Sequence, residues 1–315
     1  MKKNSFKLQS LVLISIFATS CHKKISDNKY PLHFASEKGN VTEVKKLLGS
    51  IDVNALNSYQ ETALDKAAEK GNIDVIDLLI SKGADVKAKQ KTGETALFAA
   101  ATFGQDDAVK KLLQKGADIK QPDYLGTSPL HTAVSNSQES TTRLILQNKA
   151  DIEQKDFFGQ TALHIAAIED QLDCLKVLLK FKPNIDSLTK EHATPLHLAA
   201  QYGSKGALET LLKNNAKVTS EDLHKKTVLH YAAMNHKSNV SQIITLLTKN
   251  YLANPNAQDD EGNTPLHIAV QNNNVVAIKS LLSNKADKSI KNNLGLTPLD
   301  KAHELKITTL IDSLK

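Results

Sequence analysis

Six histidines are the residues best suited by type to hold a metal or move a proton: His33, His131, His164, His197, His230 and His267. All six end the same short motif, and His131, His164, His197 and His230 follow one another at intervals of 33 residues. If each interval is one stacked unit, neighbouring imidazoles lie on the order of 10 Å apart. Metal ligands must converge on one ion at about 2 Å, so this spacing forbids a shared site. The imidazoles read instead as structural groups that bond the turn at a helix start. Asp65, Phe98 and Asp300 fill the same frame elsewhere, so no chemistry depends on it. Cys174 falls in an inward slot of a helix and reads as a buried, inert thiol rather than a nucleophile. The pairs Asp106-Asp107 and Asp259-Asp260 read as solvated carboxylates in turns. No glycine-rich phosphate loop follows a strand, and no convergent acid, base and nucleophile can be assembled from such a row. Neither catalysis nor a cofactor nor a metal is expected.

The elements that carry these residues are set by the motif itself. A Thr or Ser, then a small residue or Pro, then Leu recurs as TALD, TALF, SPLH, TALH, TPLH, TVLH, TPLH and TPLD. With Leu32, its leucines are Leu64, Leu97, Leu130, Leu163, Leu196, Leu229, Leu266 and Leu299, at gaps of 32, 33, 33, 33, 33, 33, 37 and 33 residues. The hydroxyls of Thr95, Ser128, Thr161, Thr194 and Thr264 can cap a helix start. Pro129, Pro195, Pro265 and Pro298 then sit at the first helical position, where a missing N–H costs nothing. A short Leu/Ala helix follows, and a second helix carries apolar residues at i, i+3 and i+4, as in Val109, Leu112 and Leu113. Gly83 and Gly116 end that second helix. A polar stretch with Gly93, Gly126, Gly159, Gly262 or Gly295 then turns the chain back. A buried Leu contributes roughly 1.5–3 kcal/mol, too little for one unit of this length to order itself alone. Stacking is therefore obligatory, and the fold class is an all-α solenoid of about nine helix-turn-helix repeats.

This pattern resembles the ankyrin repeat over residues 30–315, with units starting near 30, 60, 93, 126, 159, 192, 225, 262 and 295. The resemblance implies paired antiparallel helices, a projecting hairpin loop per unit, and protein binding through hairpin tips and inner helices. There are departures from the pattern. The Gly-Ala-Asp after the second helix occurs at 83–85 and 116–118 only, and its glycine is replaced by Lys149, Lys182, Asn215 and Lys285. Non-glycine residues there carry strain. The 37-residue gap places about four extra residues between Asn235 and Asn256, expected in the inter-helix turn and the Asn250–Pro255 loop. The last unit, ending at Leu314-Lys315, reads as the C-terminal cap.

Residues 1–20 have the layout of a signal peptide: a basic start, an apolar run from Leu11 to Ala18, then small residues. That run is too short to span a bilayer. Ala18-Thr19-Ser20-Cys21 is similar to a bacterial lipobox, with Ala18 where Leu is usual. Lipidation of Cys21 is expected, with residues 21–29 as a tether and the cell envelope as location; plain cleavage and secretion is the alternative. Cys174 would be the only other cysteine, so no internal disulfide is expected. Net charge is +6, but Lys2, Lys3 and Lys7 supply half of it. The remaining lysines are spread outward, and the local group Lys213, Lys217, His224, Lys225 and Lys226 reads as a solvated face. A nucleic-acid partner is not expected, membrane contact is expected only through the anchor, and the array is expected to be a monomer.

Carried over from ankyrin arrays, the binding positions are the hairpin tips and the end of the first helix. Here they hold Tyr59, Phe103, Tyr124, Leu125, Phe157, Phe158, Tyr202 and Leu223. Six of the twelve aromatics beyond residue 21 fall in this set, unexpected at positions that need not be apolar. Aromatic anchors dominate interface energetics, so repeats three to six are expected to form the main face for a protein partner. Packing of some rings between neighbouring tips, Phe158 above all, is the competing reading. At the level of function the alternatives are a protective envelope protein that shields a periplasmic enzyme, and a secreted effector that engages host-cell proteins.

Overall fold

Each repeat after the first, which starts at Tyr30, begins where a Thr or Ser leaves extended backbone and enters a helix. The N-cap is occupied by Thr62, Thr95, Ser128, Thr161, Thr194, Thr227, Thr264 and Thr297 in turn. Thr95 is the exception among these N-caps: it alone forms no capping box with its N3 residue. Phe98 stands at N3 of that helix, where its neighbours carry His or Asp, and offers no acceptor in return.

The computed structural model describes residues 29–307 together with Leu314. The expected signal peptide, nearly all of the tether and most of the C-terminal cap lie outside the described residues. The first helices of the nine repeats are α1 (Pro31–Glu37), α3 (Ala63–Lys70), α5 (Ala96–Thr102), α7 (Pro129–Ser135), α9 (Ala162–Glu169), α11 (Pro195–Tyr202), α13 (Val228–Ala233), α15 (Pro265–Gln271) and α17 (Pro298–Glu304). The second helices are α2 (Val41–Leu47), α4 (Ile73–Ser81), α6 (Asp106–Gln114), α8 (Glu139–Gln147), α10 (Leu172–Lys180), α12 (Lys205–Lys213), α14 (Val240–Thr245) and α16 (Val275–Ser283). No strand forms among the described residues.

Every first helix packs on the first helix of the next repeat, and the second helices form a looser layer behind them. The alanine pairs make the close approach possible: Ala67, Ala68, Ala166, Ala167, Ala199 and Ala200 are completely buried between helices. Leu64, Leu97, Leu163 and Leu196 alternate with Ile76, Leu112, Leu175 and Leu208 to make one continuous apolar core along the stack.

A polar seam runs beside that core. The residue before each second helix reaches back to carbonyls at the end of the preceding first helix. Asn72 donates to the Ser36 carbonyl (2.7 Å), Gln105 to Glu69 (3.2 Å), Ser204 to Ile168 (2.7 Å), Asn239 to Gly203 (2.7 Å) and Asn274 to Asn235 (2.6 Å). Helix C-termini leave carbonyls without intrahelical partners. These side chains satisfy them and tie each repeat to its predecessor.

The 37-residue interval is absorbed differently from the expectation. α14 begins eleven residues after Leu229, whereas α10 begins nine after Leu163, so part of the insertion lies in the inter-helix turn. The rest widens the end of α14 into a π-helical turn, Leu246–Asn250, not the loop that follows. Leu252, just beyond, is left-handed (φ 54°) and 84% exposed.

After the second helices, Gly83 and Gly116 are left-handed (φ 89° and 91°), and Lys149, Lys182, Asn215 and Lys285 adopt the same region at 65°, 55°, 68° and 69°. A side chain there is strained by its own Cβ. Lys149→Gly is therefore expected to stabilise the protein by about 0.5–1 kcal/mol. The readout is a higher urea midpoint at unchanged slope; a lower midpoint would show that the turn is not strained.

Candidate functional site

Between each second helix and the next first helix the chain projects as a tip loop, and six of these eight tips are built by one recurring device. A single side-chain oxygen accepts two amides from inside its own loop. Asn57 accepts from Tyr59 (2.8 Å) and Glu61 (3.0 Å), Asp123 from Leu125 (2.9 Å) and Thr127 (2.8 Å), and Asp156 from Phe158 and Gln160 (both 2.8 Å). Asp222, Asp259 and Asn292 do the same in later tips. Burial pushes the Asp123 and Asp156 carboxyls above the usual carboxylate range, against the opposing pull of those amide donors. Asp259 is buried, not solvated as its sequence pair suggested. Asp106 and Asp107 likewise open α6 rather than a turn, and Asp106 accepts from Thr141 Oγ1 at 2.5 Å.

Successive tips are joined by a ladder of backbone bonds, one per repeat. Lys91 N–H donates to the Tyr59 carbonyl (3.4 Å), Tyr124 to Thr92 (3.0 Å), Phe157 to Leu125 (2.7 Å), Lys190 to Phe158 (3.0 Å), Leu223 to Glu191 (3.1 Å), Asp260 to His224 (2.9 Å) and Asn293 to Glu261 (3.0 Å). Gly159 is required by this approach: its φ is 78°, and a Cβ there would meet the Lys190 amide nitrogen at 2.6 Å.

The histidines tie the tips to the helices. His164 Nδ1 accepts from the Thr161 amide (3.1 Å), which leaves the proton on Nε2, and Nε2–H donates to the Ala193 carbonyl of the next tip (3.2 Å). His131, His230 and His267 repeat this with the carbonyls of Gln160 (3.1 Å), Asn263 (2.9 Å) and Leu296 (3.0 Å). His33 reaches the Glu61 carbonyl at 2.9 Å. His197 makes no such bond; its ring lies edge-on to Tyr231 at 4.8 Å, whose hydroxyl donates to Asp222 (2.8 Å). The expected turn contact is present, and a bond to the neighbouring repeat is added to it. Burial lowers His131, His164 and His197 to about 4.

Of the eight residues expected to contact a partner, Tyr59, Phe103, Tyr124, Leu125, Phe157 and Leu223 are exposed, with Tyr124 at 67% and Phe157 at 60%. Phe158 and Tyr202 are half-buried. Phe158 lies edge-on against Phe157 at 5.5 Å. Tyr124 and Phe157 start consecutive rungs of the ladder, so the structure brings them together on one line. Phe103 and Tyr202 sit apart from them, at the ends of α5 and α11. Leu294, 75% exposed at the ninth tip, belongs to the same row and was missed, although it has the same spacing to Leu299 that Leu125 has to Leu130.

A buried ion cluster on the first-helix side of the second repeat leaves no mark in the repeat pattern. Lys66 is 2% exposed and bonds Glu61 at 2.8 Å and Glu69 at 3.2 Å. Burial alone would lower its pKa, but the two carboxylates hold it above the usual lysine value. Nearby, burial raises Asp65 to about 6. Cys174 is buried, takes a hydrogen bond from Thr142 (3.7 Å) and has its thiol pKa raised by burial. Among the described residues no group of three or more His, Cys, Asp or Glu could hold a metal ion, and no helix is long and apolar enough to cross a membrane.

The stacked helix pairs with projecting tips define a helical repeat protein of the interaction-scaffold class. The profile for ankyrin repeats (three copies) matches residues 3–90, 82–156, 144–222 and 229–312, and the chain belongs to the ankyrin-repeat family. It is similar to an ankyrin repeat protein of fowlpox virus (strain NVSL), 59% identical over 44 residues. That stretch is 14% of this chain and 10% of the viral protein. It is also similar to the human transient receptor potential cation channel subfamily A member 1, 40% identical over 72 residues, or 22% of this chain and 6% of the channel. The likeness thus spans a small part of either relative.

The folded state holds the buried imidazoles neutral down to about pH 4, whereas the unfolded chain protonates near 6.5. Their share of the stability is complete above pH 6.5 and is lost as the pH falls towards 4. The raised carboxyls Asp65, Glu94, Asp123, Asp156 and Glu169 act in the opposite direction, because they take up protons earlier in the folded state. A difference measurement removes that background. The stability deficit of His164→Gln is expected to be largest at pH 7 and to shrink, by up to about 3 kcal/mol, as the pH falls to 4. A deficit constant across urea titrations over this range would show that the imidazole is not held neutral.

Proposed function

We propose that this chain is a non-catalytic scaffold, exported and lipid-anchored through Cys21, that holds a protein partner on the tip loops and first-helix ends of repeats three to six. The observation that carries the reading is the exposure of large apolar side chains on a stiff row. Tyr124, Leu125 and Phe157 are each more than half exposed, on loops fixed by internal and inter-repeat hydrogen bonds. A cluster of exposed apolar surface commonly marks a contact site, and a rigid aromatic anchor binds with little loss of side-chain freedom. Phe103 and Tyr202 extend the face onto the first helices, Tyr59 and Leu223 mark its flanks, and Phe158 buttresses Phe157. Export and anchoring are supported by the basic start, the short apolar run and the Ala18-Thr19-Ser20-Cys21 sequence.

The face is tested by affinity capture. Tyr124→Ala together with Phe157→Ala is expected to abolish recovery of the partner while the urea midpoint stays close to wild type, because both side chains are exposed. Undiminished capture at unchanged stability would refute this location. The anchor is tested by metabolic labelling with a palmitate analogue: label is expected on wild type and absent from Cys21→Ala, and equal labelling of both would refute lipidation there.

A further inference from the structure

We infer that the tips of repeats three to six form a track for an extended, acidic peptide segment of the partner, a reading that rests on the protein-binding face above. The charges at the loop apices set the chemistry of that track. From the tip of the second repeat to that of the fifth, the exposed charged side chains there are Lys89, Lys91 and Lys155; the sixth adds Lys190 and Glu191. The acidic residues of the central loops, Asp123 and Asp156, turn their carboxylates onto amides of their own loops, as Leu125 and Thr127 show for the first of them. The face presented outward is therefore cationic although the loops contain both signs.

The cations are placed on the rings. Lys190 Nζ lies 4.0 Å from the centre of the Phe157 ring, and Lys89 Nζ lies 5.8 Å from that of Tyr124. A lysine over an aromatic face keeps its charge outward while its stem widens the apolar surface. Each such pair suits a carboxylate beside an apolar side chain. Beyond the track the seventh tip exposes both signs (Glu221 and Lys225), and the eighth exposes only negative charge, Asp260 and Glu261.

Spacing sets the shape of the occupant. Adjacent repeats are about 8–10 Å apart, and extended chain advances about 3.3 Å per residue. One apolar anchor and one carboxylate in every three residues would then keep register with the tips. About ten residues would run from the Tyr124 tip to the Lys190 tip and beyond. The tip amides are already committed to the ladder, so recognition falls to the side chains and to charge.

The purified protein, exposed to an immobilised library of random peptides about ten residues long, tests this. Selected peptides are expected to be rich in Asp and Glu, with an apolar residue at about every third position. The best of them should bind at least about tenfold more weakly to the Lys89→Glu, Lys190→Glu double variant and should weaken as salt is raised. Lys89→Gln with Lys190→Gln, which removes charge without reversing it, should fall between. Selection of neutral or basic peptides, selection of none, or equal binding by the charge-reversed variant would overturn the track. Capture of a whole protein partner separates this from the underlying reading. Capture that survives charge reversal but is lost with Tyr124→Ala and Phe157→Ala refutes the acidic segment and keeps the face. Capture that survives both refutes both.

Discussion

No repeat of this chain can bury its own apolar side chains, and every other feature depends on that constraint. Each interior helix pair has a neighbour on either side, and the completely buried alanines on the first helices let those neighbours close to contact. Once the helices are stacked, the leftover polar groups lie in fixed registers. The carbonyls at first-helix ends meet Asn, Gln or Ser of the following repeat. The imidazoles meet carbonyls of the following tip. The tips meet one another through the backbone ladder. The apolar core supplies the driving force, and these three rows of directional bonds fix the register.

Rigidity of the tips is what converts the stack into a binding surface. A loop held only at its ends would lose much conformational freedom on meeting a partner. Here Asp156, the Leu125 carbonyl and His131 all hold the Phe157 tip, and Asp123 and the Thr92 carbonyl hold the Tyr124 tip. Tyr124 and Phe157 can then stay exposed without collapsing onto the array, and Phe158 gives up part of its exposure to support its neighbour.

The architecture was legible because it is periodic. Caps, prolines, alanine pairs and leucines recur in one frame, and even the strain at Lys149, Lys182, Asn215 and Lys285 followed from replacing glycine at a left-handed position. Features that depend on what lies across a repeat boundary were not legible. The second bond of every histidine in the frame but His197, the burial of Asp259 and the Lys66 ion cluster come from residues about 30 positions away or from the closing of a loop. The four-residue insertion could be located but not apportioned, since a π-helical turn in α14 leaves no mark in apolar spacing. Among the binding residues, type and frame were readable, whereas the half-burial of Phe158 and Tyr202 depends on their neighbours in the fold.

The central claim is that partner contact is concentrated on the tips of repeats three to six rather than on the second-helix layer. Site-specific photocrosslinking in the producing cell tests it most directly, with a benzophenone amino acid placed at Phe157 in one strain and at Val276, exposed on α16, in another. The account predicts a discrete protein adduct from position 157 and none from 276. An adduct from 276 alone would contradict it.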